Sequence, residues 1–267
     1  MIEKMYFDGR SFAREIEEGV RLRVGNSRPK VLSILVGDDP ASALYSRLKK
    51  EAAGRCGIDF EIQKIDLGVS IQDLKARIVE VGSREDLVGV MVQMPIPGLD
   101  RESQKEVVAA IPLAKDVDGL RWEKSGIQPA TVRAIMTILE KIKVSWQEKF
   151  VVVGDRGSVG KPLVYELTKR GVVVRGANRE TPDLTGLVRG GEVVISCVGR
   201  AGLITKEMVK NNVILIDVGN SKVGGKVVGD MTKETYAKAA ISVEVPGGVG
   251  PVTIASLMQN VVECAGY

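Results

Sequence analysis

The chain has 267 residues, of which 44% are hydrophobic, 27% charged and 4% aromatic, with a mean hydropathy of +0.05. That is enough apolar material for one large α/β unit or two modest domains, and it is unlike a disordered chain. A net charge of +4 dispersed among acids argues against a nucleic-acid surface, and no apolar run approaches the roughly 20 residues that span a bilayer. With no histidine and only Cys56, Cys197 and Cys264, a Cys/His metal site is excluded, and no metal is expected.

The N-terminus mixes charged and apolar residues and lacks the uninterrupted apolar core of a secretory signal, so a cytoplasmic protein is expected. From about residue 30 onward, β-branched runs alternate with amphipathic stretches. The fold class is therefore α/β, with parallel strands covered by helices. In the first half, strands are predicted at 31–36, 60–65 and 88–92, and helices over 41–53 and 71–81. The first of these helices has a clear start, with Asp39 as N-cap and Pro40 at the first helical position. Tyr45 and Lys49, four residues apart, share one of its faces, while Lys50 is turned away by about 100°. If that face meets a ligand, Tyr45 is placed to stack on a flat ring and Lys49 to transfer a proton. Spacing alone leaves a surface lysine as the alternative. The absence of histidine restricts any general acid or base to Lys, Asp, Glu, Tyr or Cys.

The apolar periodicity lapses over Ile111–Gly119, which marks the first domain boundary. Beyond it, strands are predicted at 150–153, 172–174, 193–198 and 213–218, with a helix over 161–169, giving a second open sheet. A final helix over 249–266, with Pro251 near its first turn, is expected to pack back on the first domain. The resulting division is 1–115, completed by 249–267, and 116–248.

The segment Val151–Pro162 reads as a buried strand, a turn carrying Gly154, Gly157 and Gly160, and a helix. Such a unit brings a phosphate to free amides at a helix N-terminus. Its glycine spacing is not G-x-G-x-x-G, so a plain strand-to-helix turn remains the alternative. After the next strand the chain reads Arg175-Gly-Ala-Asn-Arg-Glu180. Glu180 is a candidate acceptor for an NAD ribose hydroxyl, whereas Arg179, with Arg156, is a candidate pair for the NADP 2′-phosphate. Two arginines against one acid favour NADP, with NAD possible.

Six segments, in order, are Ala41-Ser-Ala-Leu-Tyr-Ser-Arg-Leu-Lys49, Val92-Gln-Met-Pro-Ile-Pro97, Lys115-Asp-Val-Asp-Gly119, Val159-Gly-Lys-Pro162, Asp217-Val-Gly219 and Val245-Pro-Gly-Gly-Val-Gly-Pro251. Together they resemble the bifunctional methylenetetrahydrofolate dehydrogenase/cyclohydrolase family, FolD. The resemblance implies an N-terminal catalytic domain completed by the last helix, a Rossmann-type cofactor domain, and an active cleft between them. It also implies NADP-dependent oxidation of 5,10-methylenetetrahydrofolate, hydrolysis of the methenyl product to 10-formyltetrahydrofolate, and a homodimer with tetrahydrofolate derivatives as its ligands.

Carried over by position, Lys49 is the proton-transfer lysine, Tyr45 stacks near the folate, Gln93 assists Lys49, and Asp118 recognises the pterin. A carboxylate suits the paired donors of a pterin edge, though Asp118 also reads as an ordinary turn residue. Pro246, Gly247 and Gly248 join Tyr45, Gln93 and Asp118 as substrate-binding residues, the glycines allowing close backbone approach. The cofactor set is Gly154, Asp155, Arg156, Ser158, Val159, Gly160, Arg179 and Asn220.

The departures from the family pattern lie in the cofactor half. Gly154-Asp155-Arg156 stands where Gly-Arg-Ser is usual, Asn178-Arg179 where His-Ser is usual, Asn220 follows Asp217-Val-Gly219 in place of Ile, and Val243-Glu244 replaces Thr-Pro. They keep open two alternatives: an NAD-linked dehydrogenase without efficient hydrolysis, and a non-catalytic dinucleotide-binding regulatory protein.

Overall fold

A computed structural model describes residues 4–267. The chain divides into two compact units, one formed by the N-terminal residues up to Phe12 with Thr131–Thr253, the other by Ala13–Ala130 with Ile254–Tyr267. The chain opens with β1 (Met5–Tyr6) and α1 (Gly9–Val24).

The second unit continues with β2 (Lys30–Val36), α2 (Pro40–Cys56), β3 (Asp59–Ile65), α3 (Ile71–Gly82), β4 (Gly89–Val92), α4 (Arg101–Val108) and the short α5 (Trp122–Ser125). Its sheet has the order β3-β2-β4, all parallel, with Ile34 opposite Gln63 on one side and Val92 on the other. The central strand is buried along Val31–Val36, as an unbroken apolar run covered on both faces should be. Leu32, Ile34 and Val36 pack with Leu74 and Ile78 of α3 and with Val107 and Ile111, each fully buried aliphatic side chain contributing about 1.5–3 kcal/mol. The α2 helix starts as its sequence signals: the Asp39 carboxylate accepts from the Ser42 amide, Pro40 follows, and Gly57 ends the helix at φ +76°.

The first unit contains α6 (Ala130–Lys141), β5 (Phe150–Val153), α7 (Gly160–Lys169), β6 (Val174–Ala177), α8 (Leu184–Arg189), β7 (Val193–Ser196) and β8 (Val213–Asp217). The hairpin β9 (Ser221–Val223) and β10 (Lys226–Val228), then α9 (Lys233–Tyr236) and β11 (Ala239–Val243), complete it. The last helix, α10 (Val249–Cys264), runs from this unit into the other. The large sheet is parallel throughout, in the order β1-β11-β8-β7-β5-β6. Because β6 lies on one side of β5 and β7 on the other, the strand order reverses at β5. In an open α/β sheet such a reversal opens a crevice at the carboxyl ends of the strands.

Three sequence expectations need adjusting. The strand expected at 172–174 pairs as Val174–Ala177; the β-branched run leads into the ladder, and it is pairing with β5 that fixes Arg175 and Gly176 as strand. The strand expected at 193–198 ends at Ser196, where Cys197 and Val198 leave the ladder. The division of the chain also differs from 1–115 with 249–267 and 116–248. Met5 and Tyr6 pair with Ile241 and Ser242, which places the N-terminal strand on the large sheet. Asp116 bridges Val90, and Asn260 of α10 holds the Val117 and Gln128 carbonyls, so residues 116–130 stay with the smaller sheet.

Candidate active site and dinucleotide site

In the unit of Ala13–Ala130 and Ile254–Tyr267, α2 presents Tyr45 half-buried and Lys49 only 7% exposed, while Lys50 faces solvent. The Lys49 ammonium donates to Gln93 Oε1 at 3.1 Å and lies 3.7 Å from Asp118 Oδ2. A buried ammonium requires such compensation, here one anion and one amide oxygen. Gln93 is fixed in turn. Its backbone amide donates to the Ile34 carbonyl as β4 ends, and its side-chain amide donates to the Met94 carbonyl at 2.8 Å, just before the cis Met94–Pro95 bond. The structure thus brings Lys49, Gln93 and Asp118 together, with Tyr45 one turn away on α2.

Two residues that sequence reasoning passed over hold the Asp118 loop. Asp116, fully buried, accepts from the Leu120 amide at 3.0 Å, the Arg121 amide at 2.7 Å and the Ser125 hydroxyl at 3.1 Å. Burial pushes its carboxyl above the ordinary range, these hydrogen bonds pull it back, and neighbouring Asp118 adds a smaller upward push. Asn260 donates to the carbonyls of Val117 and Gln128 at 2.8 and 2.9 Å. The doubled aspartate in Lys115-Asp-Val-Asp-Gly119 was a visible signal for Asp116. No local pattern announces a partner 143 residues away.

In the other unit, β5 runs into a turn that only glycine can make. Gly154 sits at φ +95°, and a Cβ at Gly160 would overlap the Gly154 carbonyl oxygen. The α7 helix then begins at Gly160 with no side chain capping it from Val159; the Lys161 amide donates to the Gly157 carbonyl at 3.1 Å and Pro162 carries no N–H, which leaves the Gly160 amide at the helix start for a ligand or water. These residues fit a pyrophosphate. Ser158 lies exposed on the same turn.

Asp155, which replaces the arginine usual in the resemblance, lies over Gly176, where a Cβ would overlap its carboxylate, and accepts from Asn178 Nδ2 at 3.0 Å. Arg156 and Glu180, read from the sequence as candidates for opposite cofactor choices, pair with each other at 2.7 Å, both well exposed. Arg179 is exposed beside them, and Asn220 is exposed where the chain leaves β8. The Pro246–Gly248 loop follows a cis Val245–Pro246 bond, with Gly247 at φ +107° and the Gly248 amide donating to the Glu244 carbonyl at 2.9 Å.

Among the described residues no helix is long and apolar enough to cross a membrane, and no group of three or more His, Cys, Asp or Glu side chains is placed to hold a metal ion.

Residues 7–118 match the family model described as the tetrahydrofolate dehydrogenase/cyclohydrolase catalytic domain, and residues 129–267 match the NAD(P)-binding domain of the same family. The chain belongs to the tetrahydrofolate dehydrogenase/cyclohydrolase family. Among curated relatives, the bifunctional protein FolD of Lactobacillus gasseri is 38% identical, over 97% of this chain and 96% of the relative. Among solved structures, the bifunctional FolD methylenetetrahydrofolate dehydrogenase/cyclohydrolase of Campylobacter jejuni superposes with a TM-score of 0.91 at 29% identity, covering 98% of this chain and 99% of that one. The Trypanosoma brucei methylenetetrahydrofolate dehydrogenase-cyclohydrolase, complexed with NADP and an inhibitor, also gives 0.91 at 29% identity, covering 99% and 98%. Family membership agrees with the two-domain α/β architecture read from the sequence.

Proposed function

We propose that this protein oxidises 5,10-methylenetetrahydrofolate with NADP and hydrolyses the methenyl product to 10-formyltetrahydrofolate. The observation that carries the reading is the buried Lys49 ammonium held between Gln93 and Asp118 on the helix face shared with Tyr45, in a chain of this family. Asp118 accepts the paired donors of the pterin edge, Tyr45 stacks on the flat ring system, and Pro246, Gly247 and Gly248 give the substrate close backbone approach. Lys49, oriented by Gln93, moves a proton as water adds to the methenyl carbon and the ring opens; the water oxygen becomes the formyl oxygen and one proton is released.

Gly154, Asp155, Arg156, Ser158, Val159, Gly160, Arg179 and Asn220 would hold the dinucleotide. When bound, that group supplies the acceptor for the hydride leaving the methylene carbon, and the protein's share of that step is alignment. The unit of Ala13–Ala130 and Ile254–Tyr267 is read as the folate-chemistry unit, the other as the cofactor unit. The family resemblance supports a homodimer and a cytoplasmic location, with tetrahydrofolate derivatives as the ligands.

A second reading, NAD-linked oxidation, is favoured by one observation: Arg156 is engaged by Glu180, and Asp155 adds a negative charge beside the turn. Progress curves with methylenetetrahydrofolate and each cofactor, following reduced cofactor, methenyl and formyl species together, separate the readings. The proposal expects faster reduction of NADP with little methenyl build-up. Accumulating methenyl product would remove the hydrolytic half, a faster rate with NAD would reverse the cofactor choice, and no reduction of either would leave only a binding protein.

A further inference from the structure

Two carboxylates lie fully buried at the carboxyl ends of β7 and β8, and neither has a role in the chemistry described above. Asp217, the last residue of β8, accepts from the amides of Gly219 at 3.0 Å, Asp230 at 3.0 Å and Met231 at 2.8 Å, and from the Tyr236 hydroxyl at 2.7 Å. Asp230 accepts from the Ser196 hydroxyl at 2.7 Å and from the amides of Val198 at 2.8 Å and Arg200 at 2.7 Å. Every one of these partners donates. A site built only of donors holds a carboxylate and mismatches a carboxamide, whose NH₂ would face an N–H or O–H.

The backbone is shaped to admit these groups. A Cβ at Gly219 would overlap the Asp230 carboxylate, and one at Gly229 would overlap that of Asp217.

What these groups fix is the pair of loops that leave β7 and β8. Asp230 pins the amides of Val198 and Arg200, Asp217 pins Gly219 next to Asn220, and the Ser221 hydroxyl ties the loops together through the Gly199 carbonyl at 2.8 Å. The loop after β7 also abuts the glycine turn, since a Cβ at Gly154 would come within 2.9 Å of the Cys197 carbonyl oxygen. In a doubly wound sheet the pyrophosphate sits at that turn, and the half of the dinucleotide on the β6 side is the adenosine. The loops after β7 and β8 therefore face the other half.

We propose that Asp230, braced by Asp217, is a positioning residue for the nicotinamide half of the dinucleotide: without touching it, Asp230 holds residues 198–200, and through them the loop at Asn220, in the form that receives it. This rests on the dinucleotide reading above and adds Asp230 and Ser196, which lie outside the segments that carry the family resemblance.

The test uses the full-length protein and its Asp230→Asn and Ser196→Ala variants. Binding of NADPH and of NADH is measured by fluorescence titration, kcat and KM for oxidation are separated, and hydrolysis of methenyltetrahydrofolate, supplied directly without cofactor, is followed in parallel. Asp230→Asn is expected to weaken dinucleotide binding by about tenfold or more, mainly in KM for the cofactor, because its NH₂ would face donors, and Ser196→Ala by about two- to fivefold, because Asp230 Oδ2 loses one of its two donors and keeps the Val198 amide. Hydrolysis, which uses Lys49, Gln93 and Asp118, should change less than about twofold. Cofactor binding within about twofold of the parent in both variants overturns the proposal. So does a parallel loss of binding and hydrolysis, which would mean a general role in folding. If Asp230→Asn does not fold, the Ser196→Ala comparison decides. A parent protein that binds dinucleotide but turns over no folate would defeat the enzymatic reading, and the binding comparison would still test this one.

Discussion

Lys49 shows how much a single residue can disclose before and after folding. The i, i+4 relation to Tyr45 placed it on a shared face and turned Lys50 away, and the helix has that phase. Periodicity could not tell a buried face that meets Gln93 and Asp118 from one that meets solvent, because both partners arrive from segments far along the chain. Replacing Lys49 with Met should abolish hydrolysis while leaving much of the hydride transfer, so methenyl product accumulates in the progress curve; near-normal formyl production would sink the assignment. Glu180 offers a second test. Its pairing with Arg156 is solvent-exposed and so weak, but it competes with any 2′-phosphate for the same guanidinium. Glu180→Gln should raise the preference for NADP over NAD by a few fold in the ratio of kcat/KM values, and an unchanged ratio would show that Arg156 has no part in cofactor choice.

At the level of elements, the strand-turn-helix unit at Val151–Pro162 was readable because its signals are local: a β-branched run, three glycines and a proline in the first turn. The need for glycine at position 160 came only from the fold, which runs the helix start against the Gly154 carbonyl. Gly160→Ala should force that turn open and weaken dinucleotide binding by more than about tenfold, with hydrolysis of supplied methenyltetrahydrofolate retained; tight binding in the variant would contradict the role given to the turn. The C-terminal helix offers the converse case. Its sequence marked a helix, but nothing local in it announced that Asn260 would tie it to the Val117 and Gln128 carbonyls around Asp118. Asn260→Leu leaves two carbonyls without their donor and should cost about 1–3 kcal/mol in denaturant unfolding.

For the whole molecule, the burial of acids sets a pH dependence. Burial, with a smaller push from Asp230, raises the Asp217 carboxyl from 3.8 to about 6, while its hydrogen bonds pull the other way. The folded state therefore holds this proton more tightly than the unfolded chain, and stability is lost as pH rises from about 4 to about 6, then levels off. Asp116, also raised by burial, acts in the same direction. Asp217→Asn titrates in neither state, so the stability gap between it and the parent should narrow across that window in urea unfolding. A gap that stays constant would refute the linkage.

The unit of Ala13–Ala130 is also completed by a segment from the far end of the chain, which brings buried Leu257, Met258, Val261 and Val262. Truncation after Thr253 should therefore leave that unit unable to fold, seen as loss of the hydrolytic activity and of cooperative unfolding. Periodicity and local signals determined the α/β class, most strands and helices, the glycine turn and the helix face bearing Lys49, since each depends on residues within a few positions of one another. Only the tertiary structure decided the membership of the two units, the approach of Lys49 to Asp118, the pairing of Arg156 with Glu180 and the buried Asp217 and Asp230, because hydrogen bonds and ion pairs between distant segments leave no period in the sequence.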